Sequence, residues 1–173
     1  MMNEQLRRWC GYAAVASGVL LLLASLTLVA RFWAGDEVAL AFSILLILAK
    51  FLLVLVLLGV YVSAHLVRSL WLAGFVMALI GTQMDLADFF PPSGAVITLI
   101  GLTCMVLSLT SEHARLRLGL WGWIGANVLA LGGAALSSGP LLAAAIALAG
   151  GVRLWIGMVL LPSRPAGPST MSG

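Results

Sequence analysis

Apolar residues run almost unbroken in stretches near twenty residues, and polar residues gather in the short breaks between them. Six such stretches can be marked, at 12–30, 38–62, 69–88, 94–110, 118–136 and 140–161. A helix of about 20 apolar residues crosses a hydrocarbon core of about 30 Å. The pattern therefore predicts an all-α fold, a polytopic transmembrane helical bundle of about six spans. Every break is short, so successive helices should be antiparallel neighbours. Residues 1–162 read as one six-helix transmembrane domain, with no room for a separate soluble one. Residues 163–173 carry Pro165, Gly167, Pro168, Ser169 and Ser172 and read as a disordered tail.

Composition points the same way. The chain is 62% hydrophobic and 9% charged, against about 25% charged residues in soluble domains. Arg7 and Arg8 ahead of the first run resemble the start of a signal peptide. That run is longer than an h-region of about 7–15 residues, so it is expected to be a retained first span. Cys10 and Cys104 form no CxxC motif and read as packing residues rather than a disulfide.

Charge sets an orientation. With the N-terminus in the cytoplasm, Arg7, Arg8, Arg68, Arg115, Arg117 and Arg164 fall inside and Arg31 outside. Asp36, Glu37, Asp85 and Asp88 then lie on the outer side. This bias predicts a multi-pass protein of the cytoplasmic (plasma) membrane with both termini in the cytoplasm. Trp9, Trp33, Trp71, Trp121 and Trp123 lie near span ends, as interfacial aromatics do. The net charge of +3 is spread over several loops. It forms no patch that could track nucleic acid, and membrane lipids are the expected partners.

Odd-numbered stretches open alike. The first has Arg8, Trp9, Gly11 and Gly18, the third Arg68, Trp71, Gly74 and Gly81, and the fifth Arg117, Trp121, Gly122 and Gly125. Even-numbered stretches correspond too, and "LILAKFLLVLVLLG" over "LAGGVRLWIGMVLL" pairs Lys50 with Arg153. The chain thus reads as three helical hairpins in tandem. Trp9, Trp71, Trp121 and the Gly150-Gly151-Val152-Arg153 step resemble the HdeD-type acid-resistance membrane proteins. That resemblance implies six spans in three hairpins and a stress-related membrane role. The second stretch has Lys50 without the glycines, and the fourth lacks the cation.

Lys50 and Arg153 are the leading site candidates, since a cation deep in a span costs about 2.5–3.5 kcal/mol on insertion scales. Each either bonds backbone carbonyls or snorkels toward the interface, or faces a cavity as an anionic-ligand or proton-coupled site, or docks a partner subunit. Ala145, Ala149, Arg153 and Gly157 share one helix face. Lys50 lies on a weak polar stripe with Ser43, Tyr61 and His65. Asp85 and Asp88, one turn apart, read either as hydrated interfacial acids or as the mouth of a polar pathway. His65 and His113 fall at the inner ends of even spans, as interfacial histidines or as a haem or pH-sensing pair. Four-residue ladders of small residues (Gly122, Ala126, Ala130, Ala134; Ala143, Ala147, Gly151) favour close helix packing or oligomerisation.

No HExxH, GxSxG, Walker or CxxC motif is present. No metal or cofactor is expected, and an enzyme is disfavoured. Three readings follow. One is a non-enzymatic stress-associated protein or accessory subunit, either a homo-oligomer or docked to a partner membrane subunit. Another is a small-molecule carrier with an anionic-ligand site at Lys50, Arg153 and Asp85. It resembles the substrate-binding components of energy-coupling-factor transporters in size and in the small-residue stretch 13–18. The last is a haem-binding anchor subunit resting on His65 and His113.

Overall fold

A computed structural model describes residues 4–34, 39–64, 69–86 and 93–161. Among them the chain forms six helices: α1 (Glu4–Ala34), α2 (Ala39–Ser63), α3 (Ser69–Leu86), α4 (Ser93–Ser108), α5 (Ala114–Ala135) and α6 (Gly139–Leu160). The fold is all-helical, and no strand occurs among the described residues. A 3-10 turn, Ser111–His113, leads into α5. The helices α1, α2, α5 and α6 are long and apolar enough to cross a membrane, while α3 and α4 are shorter apolar helices. The expected tail and the residues around Asp36, His65, Arg68 and Asp88 lie outside the described residues.

The helix ends differ most from expectation in α1 and α5. Each begins several residues earlier than its apolar run, at Glu4 and Ala114. The extra turns carry Arg7, Arg8, Arg115 and Arg117, polar residues that hydropathy excludes but helical propensity accepts. The turn between α5 and α6 is also well specified. Ser138 N–H donates to the Gly133 carbonyl at 2.8 Å, and Ser137 N–H to that of Ala134 at 3.1 Å. This is a Schellman ending, with Ser137 in the left-handed region at φ 49°. Pro140 follows in the first turn of α6, where its missing N–H does no harm.

Each helix packs closely on its hairpin partner, α1 on α2, α3 on α4 and α5 on α6. The helix α1 packs just as closely on α6, which closes the six helices into a ring. The seams of α2 with α3 and of α4 with α5 are thinner. Glycines set the close approaches. A Cβ on Gly18 would come within 2.8 Å of the Gly150 carbonyl oxygen, and one on Gly150 within 2.9 Å of the Gly18 oxygen. In the α3–α4 pair, a Cβ on Gly81 would lie 2.5 Å from both the amide nitrogen and Oγ1 of Thr98. Such backbone contact is how helices gain dispersion energy where burial from water is not the driving force.

The core is not central. Its fully buried large side chains include Leu57, Trp71, Leu102, Met105, Leu120, Ile156 and Leu160. All lie toward the end where α1 begins and α6 finishes, hereafter the terminal end. There Tyr61 stacks on Trp71 with centroids 6.3 Å apart, and Trp71 Nε1 donates to the Tyr61 carbonyl at 3.2 Å across the thin α2–α3 seam. The outer surface is a sheath of exposed apolar side chains, among them Leu26, Leu40, Phe51, Leu107 and Met158. Few charged groups interrupt it between the helix ends. Such an unbroken apolar surface is unfavourable in water.

Candidate functional site

Past the core, toward the opposite end, the ring holds a small cavity of about 110 Å³. Lys50 of α2, Trp123 and Asn127 of α5, and Arg153 of α6 line it, among apolar and small neighbours. Lys50 lies about 16 Å along α2 from Ala39 and Arg153 about 21 Å along α6 from Gly139, at a rise of roughly 1.5 Å per residue. Those two starting residues are at the same end of the bundle, so Arg153 is the deeper cation by about one turn.

Small residues make the site. Ala145 is fully buried, Ala149 lines the cavity, and Gly157 meets Val15 and the Gly11 carbonyl of α1. This face therefore carries α6 against α1 and turns Arg153 inward. Arg153 is 6% exposed. Its Nη1 donates to Ser17 Oγ at 2.6 Å and to the Ala49 carbonyl at 3.3 Å. Ser17 Oγ in turn donates to the Ala49 carbonyl at 3.0 Å. One guanidinium thus ties α6 to α1 and α2. Its Cζ sits 5.5 Å from the centre of the Trp123 ring, within the range of cation–π attraction.

The guanidinium is nonetheless under-supplied. Its Nε is buried without a hydrogen-bond partner among the described residues, and Nη2 makes neither of the two protein bonds. None of the described residues that line the cavity is acidic. Two cations thus line one small, mainly apolar space. A buried guanidinium with an open Nε donor favours an anion.

The other expected site residues are described only in part. Asp85 is near the end of α3, and its side chain lies outside the described residues, as does Asp88. His65 is outside them too. His113 is at the terminal end, far along α5 from the cavity, where Nδ1 shares a 3.2 Å hydrogen bond with Thr110 Oγ1. Ser43 is exposed and bonds back to its own helix at the Ala39 carbonyl.

The ladders divide. Ala126 and Ala130 of α5 line the cavity, whereas Ala134 is exposed. In α6, Ala147 and Gly151 face an outer groove, and the alternative face with Ala145 and Ala149 packs inward. Within 13–18, Ala13, Ala14, Ser17 and Gly18 are buried inside the bundle. That small-residue face is spent on internal packing.

Sequence reasoning had not singled out three contributors, Ser17, Trp123 (except as an interfacial aromatic) and Asn127. The amide of Asn127 within an apolar run was a usable signal, because such groups need a partner. Its Nδ2 donates to the Trp123 carbonyl one turn back. No family model, curated protein or solved structure matches the chain.

Proposed function

We propose that the chain is a six-span integral membrane protein that binds a small anion between Lys50 and Arg153. The observation that carries this reading is that both cations line one cavity, where Arg153 Nε has no hydrogen-bond partner among the described residues. The cavity is well below the roughly 300 Å³ of pockets for drug-sized ligands. A vitamin-sized substrate is therefore disfavoured against an inorganic anion or a short carboxylate. Binding, not catalysis, is the assigned role.

The apolar sheath and the four long helices support membrane embedding, with α3 and α4 as two shorter spans. The arginines Arg7, Arg8, Arg115 and Arg117 gather at the terminal end, which supports cytoplasmic termini in a plasma membrane. Close packing within α1–α2, α3–α4 and α5–α6 agrees with three tandem hairpins, the organisation that the HdeD-type resemblance implies.

The test is ligand retention and thermal shift on the full chain in mild detergent, with phosphate, sulfate, nitrate and formate as probes. At least one should raise the melting temperature of wild type and leave Arg153→Gln and Lys50→Gln unmoved. If no anion shifts wild type, or if the variants respond equally, the reading fails.

A further inference from the structure

The terminal end carries a second constellation, separate from the cavity. A cleft of about 370 Å³ lies where α5, α6 and the start of α1 meet, lined by Arg7, Ser63, Glu112, His113 and Arg115 among others. Arg7 Nε donates to the Leu160 carbonyl at 2.9 Å and its Nη2 to the Val159 carbonyl at 3.3 Å. Arg7 thus caps α6, and Nη1 makes neither bond. The Arg115 carbonyl accepts from Trp155 Nε1 at 3.1 Å, which leaves its exposed guanidinium uninvolved in that contact.

Below the cleft the surface turns apolar without a break. A shallow depression at Arg115, Trp155, Met158 and Val159 leads into a groove of about 420 Å³ along the α5–α6 seam. Gly119, Gly122, Ala147 and Gly151 keep that groove open. A Cβ on Gly151 would meet nothing within 4 Å. From Val159 to Ala147 the path runs about 18 Å along the helix at roughly 1.5 Å per residue. That is close to one leaflet of a hydrocarbon core about 30 Å thick.

A cationic cleft at the helix ends, continuous with an apolar groove one leaflet deep, is complementary to one kind of molecule. We infer that this seam binds an anionic phospholipid, its phosphate between Arg7 and Arg115 and one acyl chain along Gly122 and Gly151. Trp155 lies at the junction, where an amphipathic ring belongs. Glu112 works against the anion and leaves the two arginines in formal excess by one charge. The inference rests on the membrane reading above but not on the anion cavity.

The test uses the full chain, stripped of lipid in neutral detergent and titrated with phosphatidylglycerol or phosphatidylcholine under native mass spectrometry. Wild type should retain phosphatidylglycerol preferentially. Arg115→Gln should cut that preference about fivefold, the equivalent of one basic residue at an anionic surface. Glu112→Gln should raise it. Gly151→Leu fills the groove from an open position and should weaken both lipids without changing their ratio. Equal retention of the two lipids by wild type overturns the inference, as does indifference to both Arg115→Gln and Gly151→Leu. Displacement of phosphatidylglycerol by inorganic phosphate with Gly151→Leu silent would assign the cleft to free phosphate and also overturn it. Alkaline carbonate extraction of the source membranes separates the two levels. Release of the protein would sink the membrane reading itself, whereas a membrane-retained protein without lipid preference sinks only this site.

Discussion

Arg153 and Ser17 are 136 residues apart in sequence and joined by a buried 2.6 Å hydrogen bond between α6 and α1. Because Ser17 also bonds the Ala49 carbonyl, it stays satisfied if the arginine is removed, whereas the arginine loses its closest partner if the serine is removed. Ser17→Ala should therefore cost about 1–3 kcal/mol of stability, the penalty of a stranded buried donor. Arg153→Leu should cost less, or even stabilise, because it also removes the desolvation of a buried cation. The double variant should fall well short of the sum of the singles, as expected for groups in direct contact. Thermal melts of the four proteins in one detergent check this. Additive losses would mean that the two side chains do not share an energy.

A second prediction concerns the α1–α6 seam. Gly18→Ala and Gly150→Ala each place a methyl against an opposing backbone carbonyl as well as a leucine side chain, Leu154 or Leu22. The helices must separate, and overpacking of this kind costs about 1–3 kcal/mol. Gly151→Ala, one residue further on but pointing into open space, should be neutral or slightly stabilising through helix propensity. The comparison isolates helix approach from glycine content. Equal losses at all three positions would refute the seam as the constraint.

These positions also show what could be read in the sequence. The three hairpins were legible because short breaks force neighbouring helices together. The closure of α1 on α6 was not, since no loop joins them. Lys50 and Arg153 stood out because charge in a long apolar run has few explanations. Their common cavity did not, because distance between spans has no signature in one chain. Ladders were ambiguous for a physical reason. The helix α6 carries two sets of small residues, Ala143-Ala147-Gly151 and Ala145-Ala149-Gly157, and size alone does not say which faces inward. Arg153 lies on the second, which packs inward, whereas the first runs from buried Ala143 to exposed Gly151. Ser17 was overlooked as a partner because a serine in a small-residue stretch looks like helix packing until its neighbours are known.

The α5–α6 turn gives a third prediction. Ser137 occupies the left-handed position of the Schellman ending at φ 49°, where a side chain is strained and glycine is usual. Its N–H bonds the Ala134 carbonyl, and glycine would keep that bond. Ser137→Gly should therefore stabilise the protein by up to about 1 kcal/mol, offset in part by the greater freedom of glycine in the unfolded chain. A drop in melting temperature would show that the serine side chain contributes more than its backbone strain costs.

The number of spans can be decided by single-cysteine labelling in a Cys10→Ala, Cys104→Ser background. With six spans and cytoplasmic termini, Ser93 and Ser137 lie outside and Glu112 inside. A membrane-impermeant maleimide added to intact cells should then modify Ser93→Cys and Ser137→Cys and spare Glu112→Cys until the membrane is opened. Ser93 is the informative position. At roughly 1.5 Å per residue, α3 is about 27 Å long and α4 about 24 Å, both at the short end for a core of about 30 Å. If α3 and α4 did not cross, α1, α2, α5 and α6 would keep Ser137 outside and Glu112 inside, but Ser93 would be protected. Labelling at Ser137 with protection at Ser93 would reduce the protein to four spans and leave the α3–α4 hairpin on the cytoplasmic side. Glycine-mediated contact at Gly81 and Gly101 would then hold that hairpin together without lipid around it, which its exposed Val76, Ile80, Val96 and Ile100 oppose. The expected outcome is therefore labelling at both serine positions.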